Sequence, residues 1–499
     1  MIYMPKIKQF AVTVSLCAAL SLSACSGGGD NGSAGPPVTP EFQRLLEDAR
    51  YEMEEGNLDQ AGVLFDEALE IDRENPGLWI DIARFRFRGG EHVGALEAAD
   101  LALTLDPEFA PALLMRAQLV RDAYGLEASL AWFERALVLH PENTDLLAEY
   151  AGTLGDLGRA KDMLKTVRAL AELDPRDVRV HYLQAVLAVR GNDPVLASSL
   201  LKRSGMREAG VPSAILVDAL GEMQQGNFDT AATSLEGLLA RQPGNVRVME
   251  LLARAMWLNG RDREIVDRFA SRAEAADASA YMRMLVGRSL ERLGQRDRAA
   301  PMLELAYAGQ SGELAVLNVP QELRAALPAP TRQLREMIAA GNSGEARQYA
   351  SGLVSRFSGS SDIIALAGDA ALATGDSADA LNLYSRASQI RRPWPLTRKI
   401  IHAYREQGDD DAADTLLIRH VRSEPLNTEA AIMYAERSAQ TGDWLRTAVL
   451  LDNAIERGAG NDPKLLELRL EAARSLGKET DVEKYLATLA QVSPDGFIN

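Results

Sequence analysis

The residues of this chain whose types could do chemistry are five histidines, a knot of aspartates, a run of spaced glycines and two cysteines. The histidines are His92, His140, His181, His402 and His420. None stands in an H-E-x-x-H pattern or beside a cysteine, so zinc hydrolysis lacks its ligand pair. His140 precedes Pro141 at a helix end, where an imidazole can cap. Asp409, Asp410, Asp411 and Asp414 follow Gly408. They lack the alternating spacing of a calcium loop, and acids at a helix start are favoured by the helix dipole. Gly152, Gly155 and Gly158 read G-x-x-G-x-x-G, but no strand precedes them, as a dinucleotide site requires. No G-x-S-x-G elbow occurs. The residues therefore predict no enzyme, no cofactor and no metal site.

The elements that carry these residues are set by a period. Turn glycines recur at Gly56, Gly90, Gly125, Gly158, Gly191, Gly226, Gly260, Gly294, Gly341, Gly375, Gly408, Gly442 and Gly477, spaced 33 to 35 residues apart except for one interval of 47. A fixed period of this size means one helical hairpin copied many times. One copy cannot bury its own apolar face, so copies must stack. With the turn glycine at position 15 of a 34-residue unit, position 8 is small at Ala49, Ala83, Ala117, Ala151, Ala219, Ala253, Gly287, Gly368 and Ala435. Position 20 carries Ala61, Ala95, Ala231, Ala299, Ala346, Ala380 and Ala413; position 27 carries Ala68, Ala102, Ala136, Ala306, Ala387 and Ala454. Small residues let two helices cross closely. Phe65, Phe133, Phe269 and Tyr384 at position 24 fill the space between hairpins, and prolines at position 32 stop the second helix.

This pattern resembles the tetratricopeptide repeat family over about residues 42–494. The resemblance implies an all-α solenoid of about 13 hairpins that binds protein or peptide in a concave groove. In that family positions 2, 5, 9 and 12 of the first helix line the groove. Position 9 brings Arg254, Arg288 and Arg335 to the middle of the array, with Arg247, Trp257 and Tyr281 nearby. Arginine forks and aromatic faces suit an acidic segment or a carboxylate. The bland alternative is a solvated face with ordinary ion pairs within the array. The last two repeats carry acids, Glu436 and Glu471, at the same level. The family's Lys and Asn carboxylate clamp has no counterpart here.

The N-terminus reads as an address. Lys6 and Lys8 precede the apolar run Phe10 to Ala24. At 1.5 Å per residue that run spans roughly 22 Å, short of the ~30 Å needed to cross a bilayer. It suits a secretory leader. Leu22-Ser23-Ala24-Cys25 resembles the bacterial lipobox, which implies cleavage before Cys25 and lipidation of its thiol. Ser26 after the cysteine implies, by that analogy, the outer membrane of a Gram-negative cell, facing the periplasm. Both cysteines, Cys17 and Cys25, lie in this region, so the repeat body can hold no disulfide.

Net charge is −17, and −19 without the leader lysines. That argues against nucleic-acid binding, which needs excess Lys and Arg. The expected organisation is a leader at 1–24, a lipidated cysteine and Gly/Ser/Pro tether at 25–40, eight repeats at 41–308, a joint at 309–330 and five repeats at 331–499. The expected role is a membrane-anchored binding scaffold. Lipid-anchored repeat proteins of this kind accompany exopolysaccharide export, PEP-CTERM sorting and outer-membrane assembly. The alternatives are a non-catalytic subunit of an envelope enzyme and a self-assembling structural scaffold.

Overall fold

The computed structural model describes residues 39–275, 278–308, 329–390, 392–460 and 462–492. Cys25, the leader, the tether before residue 39 and residues 309–328 of the expected joint lie outside them. Among the described residues there are 26 α-helices, here α1 to α26 in chain order, and no strand. They pair as thirteen hairpins, eight before residue 309 and five after residue 328.

The first hairpin shows how the local sequence makes each unit. Thr39 caps α1 (Pro40–Glu55) by accepting from the Phe42 N–H at 3.2 Å. Phe42, Leu46, Ala49 and Met53 form its buried stripe. Gly56 ends the helix at φ 85, a left-handed geometry that a Cβ would strain. α2 (Leu58–Ile71) follows and buries Ala61, Phe65 and Ala68. Twelve of the thirteen turn glycines have positive φ, between 65 and 95. The exception is Gly191, at φ −80. There Asn192 takes the left-handed place at φ 59, which Asn tolerates better than other side chains.

The small positions are where helices touch. The alanines at positions 8, 20 and 27 are all nearly or fully buried. At Gly287 an added Cβ would sit 2.7 Å from Leu303 Cγ, and at Gly368 it would sit 2.4 Å from Tyr384 Cε1. Position 34 is a second regular device that the sequence reading did not single out. Asn75, Asn143, Asn245 and Asn427 each accept a backbone N–H three residues on, at 3.0 to 3.2 Å. These side chains satisfy donors that a helix start leaves open. Asp409 does the same for Ala412 at 3.0 Å. His140 ends its helix with Nε2 against the Glu108 carbonyl.

Contacts divide the chain into two compact units, each built from two stretches of sequence. One takes the described parts of Ser21–Tyr150 and Pro328–Ala413. In it the turn between α3 (Pro76–Arg88) and α4 (His92–Leu105) meets the turn between α18 (Ser343–Arg356) and α19 (Ser361–Ala373). The Val93 N–H donates to the Gly359 carbonyl at 3.2 Å, and the Ser361 N–H donates to His92 Nδ1 at 3.2 Å. Tyr124, ending α5 (Ala110–Tyr124), donates to the Gln389 carbonyl in α20 (Ser377–Ile390) at 3.2 Å. The other unit takes the described parts of Ala151–Leu327 and Asp414–Asn499. In it α25 (Pro463–Ser475) packs against α15 (Ala280–Arg292) and α16 (Arg296–Ala308). Distant hairpins therefore pack together inside each unit.

Candidate functional site

Hairpins seven and eight carry most of the expected binding residues. Hairpin seven is α13 (Val246–Leu258) with α14 (Asp262–Glu274); hairpin eight is α15 with α16. Asn245 and Ser279 cap α13 and α15. The two first helices pack side by side, which brings Arg247, Arg254, Trp257, Tyr281 and Arg288 into one unit. Arg335 lies on α17 (Ala329–Ala339), in the other unit.

The geometry of the stripe differs from an open, solvent-facing set. Arg254 is only 6% exposed. Arg288 keeps 14% of its side chain exposed and pairs with Glu291 at 2.6 Å. Arg247 is more open, at 41%, and lies 3.5 Å from the carboxylate of Glu250. Trp257 is half-buried, with the Arg292 guanidinium stacked 4.1 Å from its ring centroid. Its indole N–H is buried and meets no acceptor among the described residues. Tyr281 is half-buried beside Met282.

Glu250 is the centre of this group, and the sequence reading missed it. The Ser279 hydroxyl donates to its carboxylate. Burial holds the Glu250 carboxyl above its ordinary value; Arg247, Ser279 and Arg272 pull it down, and Glu429 pushes it up. Arg272 and Arg283 are also buried. Arg283 donates to the Ala273 and Ala275 carbonyls at 3.2 and 3.0 Å, closing the end of α14. The available signal was a glutamate at position 5 of a repeat with Arg247 and Arg254 on the same helix.

Arg335 sits in a separate cluster. Burial lowers the pKa of its guanidinium, while Asp369 and Asp362 act against that. Asp369 is 1% exposed and accepts from the Tyr384 hydroxyl at 2.9 Å. It also pairs with Lys399 at 2.5 Å. The Tyr384 hydroxyl is held far above its ordinary pKa by burial and by that carboxylate. These are position 9 of one hairpin and position 6 of the next, the same relation that joins Arg50 to Asp81 at 2.6 Å. Such pairs, each with a buried carboxylate, tie neighbouring hairpins together. Arg121 with Glu149 at 3.0 Å and Arg190 with Asp156 at 3.0 Å are similar bridges between hairpins.

The chemistry open to these groups is recognition. Guanidinium forks and a stacked indole can hold a carboxylate or an acidic segment. Among the described residues no group of three or more His, Cys, Asp or Glu side chains is placed to hold a metal ion. No helix among them is long and apolar enough to cross a membrane.

A family model described as tetratricopeptide repeat matches residues 52–119, and a second with the same description matches 217–280. Two separate stretches of the chain are thus similar to tetratricopeptide repeats. The second match spans Arg247, Arg254 and Trp257, so these belong to a recognised repeat. Among solved structures, a tetratricopeptide repeat protein from Parabacteroides merdae is 16% identical, over 55% of this chain and 96% of that one, with a TM-score of 0.29. YrrB, described as a repeat protein with an unusual peptide-binding site, is 22% identical over 37% of this chain and 95% of its own, with a TM-score of 0.26. The repeat domain of P58(IPK) is 14% identical over 74% of this chain and 98% of its own, with a TM-score of 0.22. Scores this low carry no function across. A search of curated proteins found no match.

Proposed function

We propose that this chain is a lipid-anchored scaffold that holds a protein partner in the envelope of a Gram-negative cell. The leader, the lipobox-like Leu22-Ser23-Ala24-Cys25 and the tether support the anchor. The tether to Pro40 would give the body a reach of roughly 20 Å from the lipid. The tetratricopeptide matches support protein binding, since repeats of this type serve protein association rather than catalysis. The observation that carries the reading is the cationic and aromatic group on α13 and α15. There Arg247 keeps 41% of its side chain in solvent, and further along α13 the Arg292 guanidinium stacks 4.1 Å from the Trp257 ring centroid. The partner is an acidic segment of an envelope protein, of exopolysaccharide export or outer-membrane assembly.

The test is capture from envelope extract by the purified full chain. A single stoichiometric partner is expected, and it should be lost when Arg247→Glu and Arg288→Glu are combined while helical circular dichroism is kept. Recovery of the chain with itself alone would replace the adaptor with a self-assembling scaffold. For the anchor, Cys25→Ala should move the protein from the membrane to the soluble fraction, and globomycin should accumulate its precursor. A Cys25→Ala protein that stays in the membrane would remove the lipid.

A further inference from the structure

The second helices of hairpins one to three end on the same exposed apolar step. Position 30 is Ile71 at the end of α2, Leu105 at the end of α4 and Leu139 at the end of α6 (Leu126–Leu139). These side chains are 43%, 37% and 38% exposed, and Val138 beside the last is 81% exposed. The repeat does not require an apolar residue there, since the same position is Arg241, Arg356 and Ser423 in hairpins six, nine and eleven. Three residues on, position 33 is Glu74, Glu108 and Glu142, all exposed. None of these three carboxylates has an ion pair or a hydrogen bond among the described residues.

The three steps make one continuous edge inside one unit. Each loop is closed by the same bond, in which the position-31 N–H donates to the carbonyl of Ala68, Ala102 or Ala136 at 2.8 to 3.1 Å. The apolar and acidic side chains therefore leave equivalent places. Adjacent loops touch: a Cβ on Gly77 would lie 3.9 Å from Phe109 Cζ, and His140 Nε2 meets the Glu108 carbonyl. The cations on this edge are engaged. Arg73 pairs with Glu70 at 2.5 Å, and Arg135 lies 5.8 Å from the Trp132 ring centroid.

The same edge of later hairpins is a docking edge within the chain. Position 33 of hairpin nine is Gly359, whose carbonyl accepts the Val93 N–H from the turn of hairpin two. Position 33 of hairpin eleven is Leu426, which lies 3.7 Å from where a Cβ on Gly158 would be, at the turn of hairpin four. Hairpins one to three place glutamate at this position instead. An apolar row flanked by unpaired carboxylates selects its partner. Glutamates repel an anionic lipid surface or an acidic segment, and a second copy brings a net charge of −17. Apolar residues flanked by Lys or Arg satisfy both rows.

We propose that the loop edge of hairpins one to three is a second docking surface, which holds a cationic amphipathic helix of another protein. Its apolar stripe covers Ile71, Leu105 and Leu139, and its Lys or Arg side chains meet Glu74, Glu108 and Glu142. This surface does not depend on the reading given for α13 and α15.

The probe is a short fluorescent helix with leucine along one face and lysine beside it, titrated into the purified full chain and read by anisotropy. The wild type should bind it about tenfold tighter than a scrambled peptide of the same composition, whose leucines form no face. Glu74→Lys, Glu108→Lys and Glu142→Lys together should weaken binding about tenfold. Glu47→Lys, Glu54→Lys and Glu55→Lys make the same charge change at exposed places on α1, and should weaken it less than about threefold. Leu105→Ser with Leu139→Ser should weaken it about tenfold at constant charge. Circular dichroism should stay unchanged throughout, because every replaced side chain is exposed. No binding by the wild type would overturn the proposal. Equal weakening by the two glutamate sets would do so too, since net charge alone would then attract the peptide. So would unchanged binding in the leucine variant. A wild-type dimer in sedimentation equilibrium, or flotation with phosphatidylglycerol vesicles, that the leucine variant loses would put a second copy or a membrane on this edge and overturn the choice of partner.

Discussion

Gly368 separates two opposite effects of one substitution. It lies inside α19, where Ala is normally better than Gly by about 1 kcal/mol. Its α-carbon faces the Tyr384 ring, and an added Cβ would fall 2.4 Å from Cε1, 2.6 Å from Cδ1 and 3.1 Å from Cζ. Ordinary carbon contacts begin near 3.5 Å, so the ring must retreat by about 1 Å. It has no room to do so freely. Tyr384 is fully buried, and its hydroxyl is tied to Asp369 at 2.9 Å. Overpacking of this kind costs about 1–3 kcal/mol, and stretching a hydrogen bond to a charged acceptor about 1.5–3 more if it breaks. Set against the helix gain, Gly368→Ala should lose about 2 kcal/mol net, the upper end of the range with the hydrogen bond kept and the lower end with it broken. At a urea slope of about 1–3 kcal/mol/M that moves the midpoint down by about 1 M. Gly352, inside α18 of the same unit, is the control, since a Cβ there meets nothing within 4 Å. Gly352→Ala should raise stability by about 0.5–1 kcal/mol. Urea unfolding followed by hydrogen exchange in α18 to α20 reads both, which matters in a chain of two units where one global midpoint is not defined. A Gly368→Ala protein as stable as the wild type would refute the packing argument.

Lys399→Met should cost about 3 kcal/mol, because it removes the ammonium that pairs directly with the buried Asp369. Adding Asp369→Asn should recover most of that in the same urea assay, and no recovery would mean the pair is not what matters. Glu250→Gln should change the pH dependence of stability. The folded pKa of Glu250 is raised above 4.5, so the folded chain holds this proton more tightly than the unfolded one. Stability linked to it is full at low pH and is lost as pH rises through the folded value. Melting temperatures of Glu250→Gln should fall less steeply than wild type as pH rises from 4.5. An unchanged slope would contradict the burial. Asn427→Ala should cost about 1 kcal/mol, read as a lower melting temperature, by freeing the Ala430 N–H.

The repeat was legible because its causes are local. Glycine at a helix end, alanine at a crossing and proline after the second helix each act on their own neighbours. Ala49, Ala61 and Ala68 read correctly for that reason, and all are fully buried. Gly191 read incorrectly because two adjacent residues, Gly191 and Asn192, can both take the left-handed place. The position-34 caps were present in the sequence as Asn75, Asn143, Asn245 and Asn427, but the turn glycine drew attention from them. The burial of Arg254 and Glu250 was not legible. A period reports which helices are neighbours, not how deeply a polar side chain sits between them.

Cross-linking mass spectrometry of the full chain in its native envelope tests the scaffold most directly. One stoichiometric partner is expected, with its acidic segment linked to residues around Arg247 and Trp257. Cross-links that join only copies of this chain, or that avoid α13 and α15 altogether, would contradict the account.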